Sequence, residues 1–332
     1  MVRPLALTMG EPAGIGGEIA LKAWLRRGDG VPPFYAIDDL DRLARLARAL
    51  HLDVPVRTID EPERTLAVFG DALPVVSVGG SPAAKPGHPE PADQKLVLRS
   101  IETAVADVQA GRAAALVTNP INKDALYRAG FHHPGHTEYL AELAGSNEPA
   151  VMMLAGPRLR VVPVTIHLAL RDAITALSTA AIIHAGRVTD EALRRDFAIA
   201  APVIAIAGLN PHAGEAGGLG REDIDIVAPA VAALRATGID ARGPLAGDTM
   251  FHAEARRGYD AALCMYHDQA LIPIKTLDFD DAVNVTLGLP FIRTSPDHGT
   301  AFDIVGKGVA RPDSLIAALR LAAAMAARRA AS

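Results

Sequence analysis

Three histidines stand where an α/β chain builds its sites. His167 follows the apolar run 160–166, His212 follows Val203–Ala207 by the turn Gly208-Leu209-Asn210-Pro211, and His267 lies two residues past the run 261–265. Each run has strand length, so all three histidines fall at the carboxyl ends of expected strands, where open α/β sheets place their ligands. Neutral imidazoles suit Zn²⁺ and similar divalent ions, and three protein ligands with one open position is the arrangement of a catalytic metal site. Each of the three, taken singly, could instead be an ordinary loop or core histidine, and no local ligand pair of the H-E-x-x-H kind is present. The single cysteine, Cys264, excludes an intrachain disulfide and any multi-cysteine zinc or iron–sulfur site. A metal would therefore rest on His, Asp or Glu, and Asp268 directly follows His267.

A second polar set accompanies the first. His136 and Thr137 open the helical run 138–143 after Pro134-Gly135, where Thr137 could equally be a helix cap. Lys275, Asn284 and Arg293 recur nine residues apart, each beside apolar segments. A Lys and an Arg converging on a helix amino terminus would clamp a phosphate or carboxylate; each alone could be a solvated surface charge. The cluster Gly10-Glu11-Pro12-Ala13-Gly14-Ile15-Gly16-Gly17 sits between a strand and a helix, as a dinucleotide fingerprint would. No G-x-G-x-x-G fits it and no P-loop Lys follows, so a tight turn opening a helix accounts for it, with backbone amides available to an anion.

The elements that must position these residues alternate. Apolar runs of strand length at 5–9, 114–117, 160–166, 203–207 and 261–265 are interleaved with helical patterns at 20–26, 39–50, 92–110, 179–197, 222–237 and 315–329. Leu40, Leu43, Leu46 and Leu50, with Arg between them, mark an amphipathic surface helix. Such alternation predicts an α/β fold, a mostly parallel sheet with helices on both faces. The Pro/Gly-rich stretch 79–91 reads as a loop or flap. At 332 residues the chain is long enough for two domains. Half of it is apolar, which argues against disorder. A formal net charge of -5 leaves no basic excess for nucleic acid. No signal segment and no run of spanning length is present, so the expectation is a cytoplasmic protein without a membrane segment.

Five blocks carry a resemblance beyond what spacing supplies: Gly10-Glu11-Pro12-Ala13-Gly14-Ile15-Gly16; Gly135-His136-Thr137-Glu138; Gly208-Leu209-Asn210-Pro211-His212-Ala213-Gly214-Glu215; Met265-Tyr266-His267-Asp268-Gln269; and Asn284-Val285-Thr286-Leu287-Gly288-Leu289-Pro290-Phe291-Ile292-Arg293-Thr294. In this order they resemble the signature blocks of the 4-hydroxythreonine-4-phosphate dehydrogenase family of pyridoxal phosphate (vitamin B6) biosynthesis. The resemblance runs from Leu5 to the C-terminal helix and is weakest over residues 28–90. Met9, Gly17 and Asn119 depart from the commonest family pattern.

The resemblance implies a two-domain α/β/α sandwich like that of isocitrate and isopropylmalate dehydrogenases, without a Rossmann fingerprint. The expected domains are an outer one of residues 1–130 plus 295–332, on the cofactor side, and an inner one of residues 131–294 with the metal and substrate residues and the dimer interface. It also implies a homodimer with its active site at the subunit interface. A divalent ion (Zn, Mg or Co) would be held by His167, His212 and His267. The substrate would be bound by His136, Thr137, Lys275, Asn284 and Arg293, and Lys275 and Asp268 would serve the chemistry. Lys275 is open to two roles, proton transfer and phosphate contact. The block 298–304 is similar to the adenine-side loop of isopropylmalate dehydrogenases, which assigns NAD or NADP to His298, Gly299, Thr300, Ala301 and Asp303. The implied reaction oxidises 4-phosphohydroxy-L-threonine to a β-keto acid that decarboxylates to 3-amino-2-oxopropyl phosphate. Relatives acting on threonate or erythronate 4-phosphate, or on a cyclic diol dicarboxylate, share much of this pattern. A phosphate-ester metallohydrolase and a non-catalytic binder of phosphorylated metabolites are the readings from other classes.

Overall fold

The structure, a computed structural model, describes residues 3–133, 135–146 and 148–331. In chain order the first elements are β1 (Leu5–Thr8), α1 (Gly16–Leu25), β2 (Phe34–Asp38), α2 (Leu40–Ala49), β3 (Val56–Thr58), α3 (Thr65–Val68), β4 (Leu73–Ser77), α4 (Gln94–Gln109), β5 (Leu116–Val117), α5 (Lys123–Arg128) and α6 (His136–Leu143). There follow β6 (Val151–Ala155), β7 (Arg160–Pro163), α7 (Leu170–Ala176), α8 (Thr179–Arg195), β8 (Val203–Ala207), α9 (Ala228–Ala236), β9 (Asp240–Leu245), β10 (Ala261–Cys264), α10 (His267–Asp278) and β11 (Val283–Leu287). The chain closes with β12 (Arg293–Pro296) and α11 (Asp313–Ala331). The α/β class expected from the alternating pattern is what the chain adopts. No described helix is long and apolar enough to cross a membrane.

Two compact units divide the chain: Met1–Ala150 with Leu289–Ala327, and Val151–Gly288 with Arg328–Ser332. The boundaries drawn on the sequence fell at 130/131 and 294/295. On the observed division His136, Thr137 and Arg293 are residues of the first unit, whereas the three strand-end histidines, Lys275 and Asn284 belong to the second.

In the first unit the strand order is β3-β4-β2-β1-β5-β12, and every neighbouring pair is parallel. All four residues of β1 are buried, as a strand covered on both faces requires. Ala6, Ile37, Ile101, Leu116, Leu140 and Phe291 belong to one core cluster beneath it. The glycine turn after β1 is shaped by close backbone approach. Gly10 has φ +67°, and a Cβ there would meet the Pro120 carbonyl oxygen at 2.6 Å, so only glycine fits without displacement. A Cβ at Gly17 would stand 2.7 Å from an Arg42 guanidinium nitrogen and 2.9 Å from Leu46, so its absence lets α1 lie close on α2. Asn119 donates to the carbonyls of Thr8 and Gly16, tying the β5 loop to this turn. The stretch 79–91, expected as a loop or flap, is tethered: Ala83 and Ala84 donate to the Asp93 carboxylate, and Gly87 donates to Ala13.

In the second unit the order is β11-β6-β7-β10-β8-β9. Here the expectation of a mostly parallel sheet meets its exception, since β11 and β7 both pair antiparallel with β6. The cause is local: β6 and β7 are joined by the short turn Gly156-Pro157-Arg158-Leu159, and so short a link permits only an antiparallel hairpin. A Cβ at Gly156 would collide with Asp278, which is buried and accepts from the Arg158 backbone and guanidinium. Leu154, Val161, Ala205, Ala262, Cys264 and Ile274 form this unit's core.

Candidate active site

The second unit holds the three histidines, each delivered by a different strand end. β7 stops at Pro163 rather than at Ile166, but the chain stays beside β10 a little further, with Val164 and Thr165 donating to the carbonyls of Cys264 and Met265. His167 then turns away with φ +52°. His267 is the first residue of α10, three residues past β10 rather than on a loop. Their rings lie side by side, 5.9 Å between centroids, in a pocket of about 260 Å³ that Thr165, Tyr266 and Asp268 also line. His267 Nδ1 is 2.7 Å from the Asp268 carboxylate. A carboxylate there holds the proton on Nδ1 and leaves Nε2 as a lone-pair donor, the tautomer a metal ligand needs.

His212 opens a separate pocket that shares Tyr266 and Asp268 with the first and adds Asn210, Asp248 and Gln269. Residues 212–216 all have positive φ, a left-handed turn of five residues, four of them not glycine. Each non-glycine residue so placed costs about 1–2 kcal/mol, and such strain persists only where the surroundings over-determine it. Asp223 supplies that constraint. Its buried carboxylate accepts from the backbone amides of Leu209 and Asn210 and from the Asn210 side chain. Gln269 joins the two strand ends, accepting from Met265 N and donating to the Gly208 carbonyl at 2.7 Å each. Asp223 and Gln269 escaped the sequence reading as site residues, because a carboxylate 11 positions after His212 looks like any helix-start acid.

Among the described residues no three His, Cys, Asp or Glu side chains are gathered closely enough to form a ready ligand set. His167 and His267 are brought together, and His212 stands in the adjoining pocket. Lys275 occupies the last turn of α10 and is half-buried, while Asn284 is a half-buried residue of β11 opposite Leu154.

The first unit holds the other polar set. Arg293 begins β12 and is 5% exposed. Its Nε and Nη2 both donate to the Thr118 hydroxyl, and burial lowers its pKa to about 10. His136 and Thr137 open α6, with Gly135 rather than Thr137 in the cap position. The His136 Nε2 is shut off from solvent and has no hydrogen-bond partner among the described residues. Burial, first, and then the charges of Arg293 and Lys123 hold this imidazole well below its usual pKa, so it is neutral at pH 7.

The loop of residues 298–304 packs against the glycine turn: the Thr300 carbonyl accepts from Ile15 N, and a Cβ at Gly14 would touch it at 3.0 Å. His298 Nδ1 lies 3.0 Å from the Gly299 carbonyl, its Nε2 is buried without a hydrogen-bond partner, Ala301 has φ +49°, and Asp303 is exposed.

Comparison with known proteins extends over nearly the whole chain. A 4-hydroxythreonine-4-phosphate dehydrogenase of Bradyrhizobium diazoefficiens is 57% identical over 339 aligned residues, covering 98% of each chain. One from Caulobacter vibrioides is 55% identical over 98% of each. Among solved structures, 4-hydroxythreonine-4-phosphate dehydrogenase from Klebsiella pneumoniae superposes with a TM-score of 0.87 at 39% identity, again covering 98% of both chains. The family model of the pyridoxal phosphate biosynthetic protein PdxA matches residues 32–322. By that match and by these identities, the chain belongs to the PdxA family.

Proposed function

We propose that this protein oxidises 4-phosphohydroxy-L-threonine with NAD⁺ or NADP⁺ in the synthesis of the vitamin B6 skeleton. The observation that carries the reading is the His167–His267 pair, with Asp268 on the Nδ1 of His267, in a chain whose 57%-identical relative bears that dehydrogenase's name. His167, His212 and His267 would hold the divalent ion; the donor set fits, since imidazoles serve Zn²⁺ and Co²⁺ alike, and identity among Zn, Mg and Co follows availability as much as affinity. Such an ion, when bound, supplies Lewis-acid chemistry that lowers the pKa of an alcohol and steadies negative charge on oxygen. The nicotinamide cofactor accepts the hydride, and residues 298–301 with Asp303 are the proposed contacts on its adenine side.

The chain's own groups do the rest. Oxidation takes a proton from the secondary hydroxyl and a hydride from the carbon that bears it, and the Asp268 carboxylate, or Lys275 Nζ in its neutral form, receives the proton. Asp268 and Lys275 are seven residues apart on α10, hence on one face and separated by about 10 Å of helix. Whichever of the two receives the proton, the other is left to contact a different part of the substrate. Arg293, His136, Thr137 and Asn284 bind and orient it, with Arg293 offering charge-assisted hydrogen bonds to the phosphate. The β-keto acid then loses CO₂ to leave 3-amino-2-oxopropyl phosphate. The protein is proposed to work in the cytoplasm as a homodimer whose sites draw on both chains, since no single segment carries more than one of the three histidines.

Incubation with NAD⁺, a divalent ion and 4-phosphohydroxythreonine, followed by NADH absorbance, tests the reaction directly. Turnover on that compound with little on threonate or erythronate 4-phosphate is the expected result. Turnover without nicotinamide would transfer the site to a hydrolase.

A further inference from the structure

The loop after β5 delivers a lysine to the place where Arg293 and His136 meet. Lys123 is the first residue of α5, behind the Asn122 cap, where the partial positive charge of the helix end gains nothing from a cation. Among the described residues no carboxylate pairs with it. Its ammonium lies 3.6 Å from where a Cβ of Gly135 would stand, at the amino end of α6, and the Glu138 carboxylate lines the same space. The next residue is His136, with its buried and unpartnered Nε2. Arg293 approaches from the start of β12, paired in register with Leu116 of β5, the strand whose loop leads to Lys123. Arg293 and Lys123 both act electrostatically on the His136 ring, so basic side chains from three separate elements bear on one place. Arg293 is buried and Lys123 exposed, and like charges so placed repel one another unless an anion lies between them.

We propose that Lys123 is a further substrate-binding residue, which with Arg293 and His136 makes this site selective for a phosphate monoester dianion. A phosphate monoester carries about −1.5 to −2 charges at neutral pH and offers three acceptor oxygens. Two full cations and an imidazole match that inventory, where a carboxylate would leave one cation uncompensated. Arg293 supplies direction and Lys123 a mobile point charge with three donors. The assignment rests on the phosphorylated-substrate reading above, and it adds a residue to it.

Kinetics of Lys123→Ala, Lys123→Arg and Glu138→Gln, with inorganic phosphate as a competing probe, test it. Lys123→Ala should raise KM for 4-phosphohydroxythreonine about 10- to 100-fold. It should weaken phosphate inhibition by the same factor and leave kcat within about two-fold. Lys123→Arg should recover most of the loss, and Glu138→Gln should move KM downward. Unchanged KM and phosphate inhibition in Lys123→Ala would overturn the assignment. Equal losses in Lys123→Ala and Glu138→Gln would also overturn it, because Lys123 would then only anchor Glu138. If the wild-type protein is inactive on this substrate, the proposed reaction fails, and phosphate titration of the His136 ring resonances in wild type and Lys123→Ala still decides on Lys123. A shift in wild type that Lys123→Ala abolishes supports it; equal shifts in both refute it.

Discussion

At the scale of single residues, two members of the first unit's polar set receive opposite treatments of charge. His136 is kept neutral by burial and by two cations, and its folded pKa lies below the unfolded value, so the unfolded chain binds more protons in that window. The resulting stability is intact above the unfolded histidine value of about 6.5 and diminishes as pH falls below it. The His136 ring should therefore show no protonation by NMR at pH 6, while a bound phosphate should raise its apparent pKa; full titration near 6.5 in the free protein would contradict the burial argument. Arg293 is treated differently, since a guanidinium stays charged even when desolvated and its fork already grips Thr118. Arg293→Lys keeps the charge and loses the fork, so KM for the phosphorylated substrate should rise by the equivalent of about 1–3 kcal/mol. Kinetics unchanged across substrate concentrations would remove Arg293 from the site.

At the scale of elements, the site depends on backbone held in unfavourable places by partners distant in sequence. The left-handed turn of residues 212–216 is fixed by Asp223, which takes three hydrogen bonds from Leu209 and Asn210. Asp223→Ala leaves buried amides without an acceptor, at about 1–3 kcal/mol for such a loss. Urea unfolding should show that destabilisation, and elemental analysis should show less retained divalent ion, with His167→Ala as the reference for full loss. A variant with native stability and metal content would show that the turn needs no such brace. The repeating apolar pattern located α2, α4, α8 and α11 to within a few residues, because 3.6-residue periodicity is written locally. It gave no warning of β11 running against β6, because that direction is decided by a partner far along the chain, and it did not single out the local turn that makes β6 and β7 a hairpin.

At the scale of the molecule, the proposed dimer with shared sites makes the strongest demand. His167 and His267 stand together within one chain, so if both hold the same ion, mixing variants of those two would leave every site damaged. The informative pair is one histidine of the second unit and one phosphate residue of the first. Dimers exchanged between inactive His167→Ala and inactive Arg293→Ala subunits should regain about a quarter of wild-type activity if each site draws these residues from different chains. No recovery, in a mixture shown by mass spectrometry to contain hybrid dimers, would place both residues in one chain's site. A fully active monomer on sedimentation would dismiss the shared site altogether.

The order of residues along the chain was enough to determine the α/β class, the strand-end placement of His167, His212 and His267, and the family, because periodicity and contiguous blocks of seven to eleven residues are local properties. Tertiary structure alone decided which of those histidines became neighbours, and it brought Lys123 beside His136. It also set Gln269 to tie one strand end to the next and Asp223 to brace the turn that carries His212. Each of those pairs lies on separate segments of the chain. Distance between such segments is set by packing of the core and by hydrogen bonds that close over long loops, and neither leaves a mark in the spacing of residues.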